Sequence, residues 1–328
     1  MSRRILVTGA SGLLGGAVAG VLAGQGHFVR TLQRRPASVS GLEFVAGSIT
    51  NRTAVDAAMA GMDAVVHLAA KVSFTGEWSE FQATNIEGTR NVLDAARAAG
   101  VRDVVFVSSP SVAHFGEPIA GAGAGTADPG RARGHYARSK AAAELLALAE
   151  DSPGFRVAAI RPHIVWGPGD TQLVERVMDR ARSGRLPLLD GGAALIDTTY
   201  LDNASAAIAR ALDRMEYARG QALVVTNGQP RMVREMISGI CAAAGIPAPS
   251  FSVPGWLARG AGSVLEKAWL AAGARGLVED EPPMTRFLAE QLSTSHWFDQ
   301  RHTRQVLDWQ PEVSVEEGMA RLAKHYAA

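Results

Sequence analysis

Cysteine is almost missing from this chain: Cys241 is the only one in 328 residues. A lone thiol excludes an internal disulfide and any zinc site built on cysteines. It lies in the apolar stretch MISGICAAAG and reads as a small core residue. The eight histidines are scattered, with no pair at metal-ligand spacing on a helix, so no metal site is expected. Charge of one sign is missing too. Lys and Arg total 33 against 32 Asp and Glu, a net +1 that gives no field for a polyanion, so no nucleic-acid partner is expected. No apolar run reaches the ~18 residues that would span a bilayer. The first residues, MSRRILVTG, enter a strand at once and carry no signal-peptide core, so a soluble cytoplasmic protein is expected. Aromatics are 6% of the chain and include four Tyr; lysines also number four.

What is present is an alternation. Short apolar runs at 5–8, 27–32, 42–46, 64–69, 103–108 and 156–161 read as strands. Helical patterns lie between most of them, over 12–23, 53–59, 80–99 and 136–150. Strands apolar on both faces that alternate with helices predict a parallel sheet covered on both sides, the doubly wound α/β (Rossmann-type) fold. Beyond residue 165 the pattern loosens into turns and short strands. The reading is a dinucleotide-binding domain over 1–165, to which 197–229 returns, and a smaller, partly interleaved substrate-binding domain over 166–328. The Gly/Ala-rich segment 119–130 reads as a mobile surface loop or a flap ahead of Tyr136.

Two motifs carry chemistry. The first strand runs into TGASGLLG, in which Gly9, Ser11, Gly12, Leu13, Leu14 and Gly15 form a small-residue turn opening a helix. Such a turn lets the backbone approach a pyrophosphate, and the helix N-terminus supplies N–H donors and a favourable dipole. The second motif is Tyr136 and Lys140 in HYARSKAAAELLALAE, which share one helical face. An ammonium beside a phenol lowers the phenol pKa and makes it a proton donor and acceptor near neutral pH.

The Gly-x-x-Gly-x-x-Gly spacing with Tyr-x-x-x-Lys downstream resembles the extended branch of the short-chain dehydrogenase/reductase superfamily, over nearly the whole chain. The resemblance implies that Ser109, in VSSPSV, is the catalytic serine beside Tyr136 and Lys140. It implies that Leu68, Ala69, Ala70 and Lys71 follow the fourth strand along the cofactor, that Pro162 and Ile164 pass the nicotinamide, and that Ser48 and Ile49 lie near the adenine, where the family often has Asp at the position of Ser48. Asn85 would support an active-site water network, and Asp202 or Asn203 would cap a helix. In members that bind NAD an acid ends the second strand. Here Gln33 stands there, followed by Arg34 and Arg35, which favours the 2′-phosphate of NADP(H) over NAD(H).

The full Ser109–Tyr136–Lys140 set disfavours a non-enzymatic regulator. Pro110 and Ser111 stand where dehydratases of the family carry an Asp-Glu pair. By pattern the 3β-hydroxysteroid dehydrogenase-like branch is nearest. Within it, 108–116, 161–174 and 279–299 resemble bacterial enzymes that reduce the 3-keto group of 2-alkyl-3-oxo acids in long-chain olefin biosynthesis. The expected function is therefore NADPH-dependent reduction of a ketone on an apolar acyl substrate. A 3β-hydroxysteroid dehydrogenase-type oxidoreductase and a nucleotide-sugar epimerase are the alternatives. Trp256, Leu257, Val264, Leu265, Ala268 and Trp269 form an apolar helical pattern that reads as core packing, as a lid over an acyl chain or as a surface for peripheral lipid contact. Helices 80–99 and 136–150 are the expected faces of a homodimer.

Overall fold

The computed structural model describes residues 2–37, 39–73, 75–273 and 286–327. Seven strands form one fully parallel sheet: β1 (Arg4–Thr8), β2 (Phe28–Gln33), β3 (Glu43–Ala46), β4 (Ala64–His67), β5 (Asp103–Val107), β7 (Arg156–Pro162) and β12 (Ala222–Val225). Their order is β3-β2-β1-β4-β5-β7-β12. The doubly wound α/β expectation therefore holds. The central strands are apolar and buried on both faces, because helices cover both. On one side α1 (Leu13–Gly24) and α7 (Leu201–Asp213) place Val18, Leu22, Ile208 and Leu212 over Ile5, Val7 and Val105; α8 (Met215–Ala218) adds Met215. On the other, α2 (Arg52–Met59), α4 (Gly88–Ala98) and α5 (Gly134–Ala149) bury Val55, Val92 and Ala143 against Leu6, Val65 and Val104.

The chain reverses direction across the sheet between β1 and β4, so a crevice opens beyond their C-terminal ends. In open α/β sheets ligands bind at such a reversal point. The expected helix over 80–99 is in fact three pieces: α3 (Trp78–Phe81), a π-helical turn over Gln82–Glu87, and α4. π-turns inside helices are rare and frequently mark functional sites. This one carries the buried Asn85.

A second, mixed sheet has the order β13-β10-β15-β6, from β6 (Ile119–Ala122), β10 (Leu195–Ile196), β13 (Arg231–Met232) and β15 (His296–Phe298). Two short parallel pairs join β8 (Val165–Trp166) to β11 (Thr199–Tyr200) and β9 (Leu188–Leu189) to β14 (Ser252–Val253). A separate core here packs Trp166, Tyr200, Val233 and Leu322 among α6 (Val174–Arg182), α9 (Val233–Ala243) and α13 (Val315–Ala327), with Cys241 buried inside it. Helices α10 (Gly255–Gly273) and α11 (Arg286–Ser293) pack side by side, and α12 (Arg301–Leu307) follows β15.

Two local expectations need correction. The segment 119–130 is no free loop: its first residues pair with β15, and the buried Arg161 donates through Nη1 to the carbonyls of Ala124 and Gly125. Neither Asp202 nor Asn203 caps α7, whose N-cap is Tyr200. Asp202 pairs with Arg321 on the surface. Asn203 accepts from the Glu312 and Val313 amides and donates to the Val313 carbonyl and Asn227, fastening the C-terminal segment to α7.

Candidate active site

All the sequence-predicted site segments end at one edge, because each follows the C-terminus of a parallel strand. Gly9 leaves β1 with φ +79, a left-handed value that favours glycine. Its Cα faces the backbone of Ala69, so a Cβ there would lie 2.8 Å from Ala69. A Cβ at Gly15 would lie 2.3 Å from the Gly9 carbonyl oxygen, so the first turn of α1 closes onto the loop only without a side chain. Gly12 is different. A Cβ there would meet nothing nearer than 3.5 Å, so the protein's own packing does not require glycine. What glycine leaves free is the approach to the N-terminus of α1, whose N-cap gives no side-chain hydrogen bond and whose first turn carries no acid. Donors left open beside a bare backbone fit a pyrophosphate.

Around this turn, Ser11 is exposed, and Leu13 and Leu14 are half-buried. Gln33 ends β2 buried: its amide nitrogen donates to Thr31, and its Oε1 has no partner among the described residues. Arg34 and Arg35 stand exposed just beyond. Ser48 bonds Thr50 and Ile49 packs under Gly88, both beyond β3. Leu68, Ala69, Ala70 and Lys71 leave β4 half-buried, and Lys71 pairs with Glu80. Pro162 closes β7, and Ile164 follows with φ +43.

Ser109 follows β5 and N-caps a short 3₁₀ turn over Pro110–Ala113, its Oγ accepting from the Ser111 amide at 3.3 Å. α5 packs against the turn that Ser109 opens, near enough that the serine hydroxyl acts on the Tyr136 phenol, so the structure brings the two segments together. Part of Tyr136 is open to solvent, yet protein surrounds it closely enough that burial pushes the phenol up to about 12; the Ser109 hydroxyl pulls the other way. Lys140 is buried one turn further along α5. Its Nζ donates to the Val107 carbonyl at 2.7 Å and sits 4.0 Å from the centre of the Phe106 ring. Burial pulls this ammonium down to about 7, and Glu144 opposes that. The expected lowering of the Tyr136 pKa by Lys140 is therefore not found in the chain by itself. Desolvation dominates at both groups, and the ammonium is committed to a carbonyl and a ring.

Three supporting groups surround this core. The amide of Asn85 bonds three protein groups. It accepts from the Lys71 amide at 2.7 Å and donates to the Lys71 carbonyl and to Ser139 Oγ, which itself donates to the Tyr136 carbonyl. It thus ties the β4 loop to α5. His67 went unnoticed in the sequence because nothing local marks it. It lies between Thr8 Oγ1 at 2.7 Å and Thr89 Oγ1 at 3.0 Å. Thr89 gives its hydrogen to the Asn85 carbonyl and Thr8 accepts from the Ala69 amide, so the ring carries its hydrogen on Nε2. Burial, then the Lys140 charge, pull its pKa down to about 3, so it serves as a neutral staple. Glu144, missed although it lies four residues beyond Lys140, holds Arg161 through two bonds of 2.8 and 2.5 Å, with both side chains buried.

Gly turn, strand-end serine and Tyr136–Lys140 pair on a seven-stranded parallel sheet define an NAD(P)-dependent oxidoreductase of the extended short-chain dehydrogenase/reductase type. The chain belongs to the NAD dependent epimerase/dehydratase family, whose pattern matches residues 5–225. It is similar to the 2-alkyl-3-oxoalkanoate reductase of Stenotrophomonas maltophilia (strain K279a), 38% identical over 99% of this chain and 100% of that protein. It is also similar to the 2-alkyl-3-oxoalkanoate reductase of Shewanella oneidensis, 36% identical over 96% and 84%. The 3-beta-hydroxysteroid dehydrogenase of Mycolicibacterium neoaurum is 29% identical over 98% and 91%. Among solved structures, UDP-glucose 4-epimerase from Brucella ovis in complex with NAD shares the fold, with TM-score 0.75 and 21% identity over 99% of this chain and 98% of that one.

Proposed function

We propose that this chain reduces the 3-keto group of a 2-alkyl-3-oxoalkanoate with NADPH, giving the 2-alkyl-3-hydroxyalkanoate. The observation that carries the reading is the bond from Lys140 Nζ to the Val107 carbonyl, which fastens the helix of Tyr136 to the strand end that bears Ser109. The full-length similarity to two reductases of that substrate class supports the choice of ketone.

Gly9, Gly12 and Gly15 present bare backbone and the α1 N-terminus to a pyrophosphate. On this reading Ser11, Leu13 and Leu14 line that turn, and Leu68–Lys71, Ser48, Ile49, Pro162 and Ile164 contact the rest of the cofactor. Gln33, with Arg34 and Arg35 beside it, offers no carboxylate to repel a 2′-phosphate, and the two guanidinium groups attract one. A bound nicotinamide cofactor supplies the hydride. Ser109 donates to the ketone oxygen and holds it beside Tyr136 Oη. A phenol pushed up to about 12 keeps its proton at neutral pH until the oxygen gains charge, which suits an acid in the reductive direction. Tyr136 then gives that proton to the oxygen, and Ser109 stabilises the phenolate until solvent reprotonates it.

A spectrophotometric panel tests the reading. NADPH and NADH consumption would be followed with a long-chain 2-alkyl-3-oxoalkanoate, a 3-ketosteroid and a nucleotide sugar. Turnover of the oxo acid with NADPH well above NADH is expected. Activity confined to the steroid or the sugar would overturn the substrate, and equal rates with both cofactors would overturn the cofactor preference.

A further inference from the structure

The α10–α11 hairpin touches the two catalytic segments through two adjacent residues of α11. Glu290 is buried and accepts from Arg133 Nη1 at 2.5 Å. Arg133 is the N-cap residue of α5, the helix that carries Tyr136. On its way to Glu290 the guanidinium lies flat against Gly116, in the loop beyond the Ser109 turn, where a Cβ would sit 2.2 Å from Cζ. Gln291, next in sequence, reaches that same loop. Its side-chain amide donates to His114 Nδ1 at 2.8 Å, and His114 closes the 3₁₀ turn that Ser109 opens. The direction of that bond follows from the rest of the ring: His114 Nε2–H donates to the Glu117 carbonyl at 3.1 Å, and burial keeps the imidazole neutral. The Gln291 carbonyl in turn accepts from His296 Nε2 at 2.8 Å, which fixes α11 to β15.

One helix turn therefore grips the N-cap of the Tyr136 helix with one side chain and the end of the Ser109 turn with the next. The hairpin packs through an apolar cluster of Leu189, Ala258, Ala289 and Leu292 and a bond from Arg259 to Ser293. A carboxylate costs free energy to bury and is kept only where it is paired. The pair with Arg133 is what the buried Glu290 offers to α5.

We propose that Glu290 and Gln291 are positioning residues: through Arg133 and His114 they hold Tyr136 and Ser109 at their working separation, so that docking of the hairpin completes the site. The proposal rests on Ser109 and Tyr136 being the reacting side chains. It places the link between a substrate-side element and the chemistry in side chains that touch neither the ketone nor the cofactor.

The test uses the full chain and the ketone that the wild type reduces. Glu290→Gln keeps the shape and removes the charge. Gln291→Leu removes the donor to His114. Each is expected to lower kcat roughly tenfold or more, since small misplacements of reacting groups cost factors of that order, while NADPH affinity stays unchanged. Arg133→Met with Glu290→Gln should lose no more than the worse single change, because both break one contact. Hydrogen exchange of amides in 110–116 and 133–140 should quicken in each variant. A fall in melting temperature with kcat and exchange unchanged would overturn the proposal, as would additive losses in the double variant. Should Glu290→Gln fail to fold, Gln291→Leu carries both readouts alone. Tyr136→Phe is measured in parallel. If it keeps full turnover, the assignment of the reacting side chains fails, while the exchange data still decide whether the clasp orders the two segments.

Discussion

Tyr136 and Lys140 are legible as a pair from spacing alone, because a helix places residues four apart on one face. Their chemistry is not legible in the same way. The Val107 carbonyl and Phe106 ring that surround Lys140 come from β5, and only the folded chain brings them to α5. The result is an ammonium held at about 7 instead of 10.5. Between those two values the unfolded chain binds the proton that the folded chain has released, so this group makes stability rise with pH. At pH 7 its burial is a net cost. Lys140→Met, which keeps the contact with the Phe106 ring, should therefore be more stable than the wild type at pH 7. Its advantage should shrink by about 1.4 kcal/mol per pH unit towards pH 9. Urea unfolding at pH 7, 8 and 9 reads this directly, and a gap that does not change with pH would refute the account. The same variant should lose turnover, which is the usual relation between a strained site and stability.

Among the elements, the strands and helices that alternate through the first half were readable because each carries its own periodicity. The segment 119–130 was not. Its Gly and Ala residues look like a loop, and the strand that orders it, β15, lies beyond residue 290, while Arg161 holds its carbonyls from within the core. The π-turn around Asn85 was hidden for a related reason: an extra residue per turn leaves an ordinary helical pattern in the sequence. The β1–α1 turn was fully legible as a motif, but the structure separates its glycines. Gly15 is there for the protein, and Gly12 for what approaches it. Gly15→Ala should lose stability and cofactor binding together, since a Cβ at 2.3 Å from the Gly9 carbonyl forces α1 off the loop. Gly12→Ala has an ordinary φ of −84 and open space, so it should fold within about 0.5 kcal/mol of the wild type. It should nonetheless bind NADPH at least roughly tenfold more weakly, because a methyl group stands where backbone must meet phosphate. Thermal melts beside cofactor titration separate the two, and wild-type affinity in Gly12→Ala would remove the pyrophosphate from this turn.

At the scale of the whole molecule, two of the places where large apolar side chains are exposed bear on association. One is on α5, where Leu145 is 41% exposed on the helix that also carries Tyr136. The other is the start of the hairpin, where Phe251 and Leu257 are exposed and Trp256 is 66% exposed. Of the stripe expected along α10, the side chains of Val264 and Ala268 lie outside the described residues, as do residues 279–285 of the string 279–299. Trp256 and Leu257 face solvent, so simple core packing does not describe them. No described helix is long and apolar enough to cross a membrane. Isolated exposed apolar residues are ordinary, but a contiguous patch marks a contact surface. A homodimer packed through α4 and α5 about a twofold axis would cover Leu145, and an apolar substrate or lipid would cover Phe251, Trp256 and Leu257. Leu145→Asp should then convert a dimer to a monomer in light scattering at micromolar concentration, while Trp256→Ser leaves the dimer intact. Conversely, Trp256→Ser should lower capture by phosphatidylglycerol vesicles or raise KM for the longest acyl substrates, and Leu145→Asp should do neither. A wild type that is monomeric, or a dimer lost through Trp256 instead of Leu145, would reverse the assignment of the two faces.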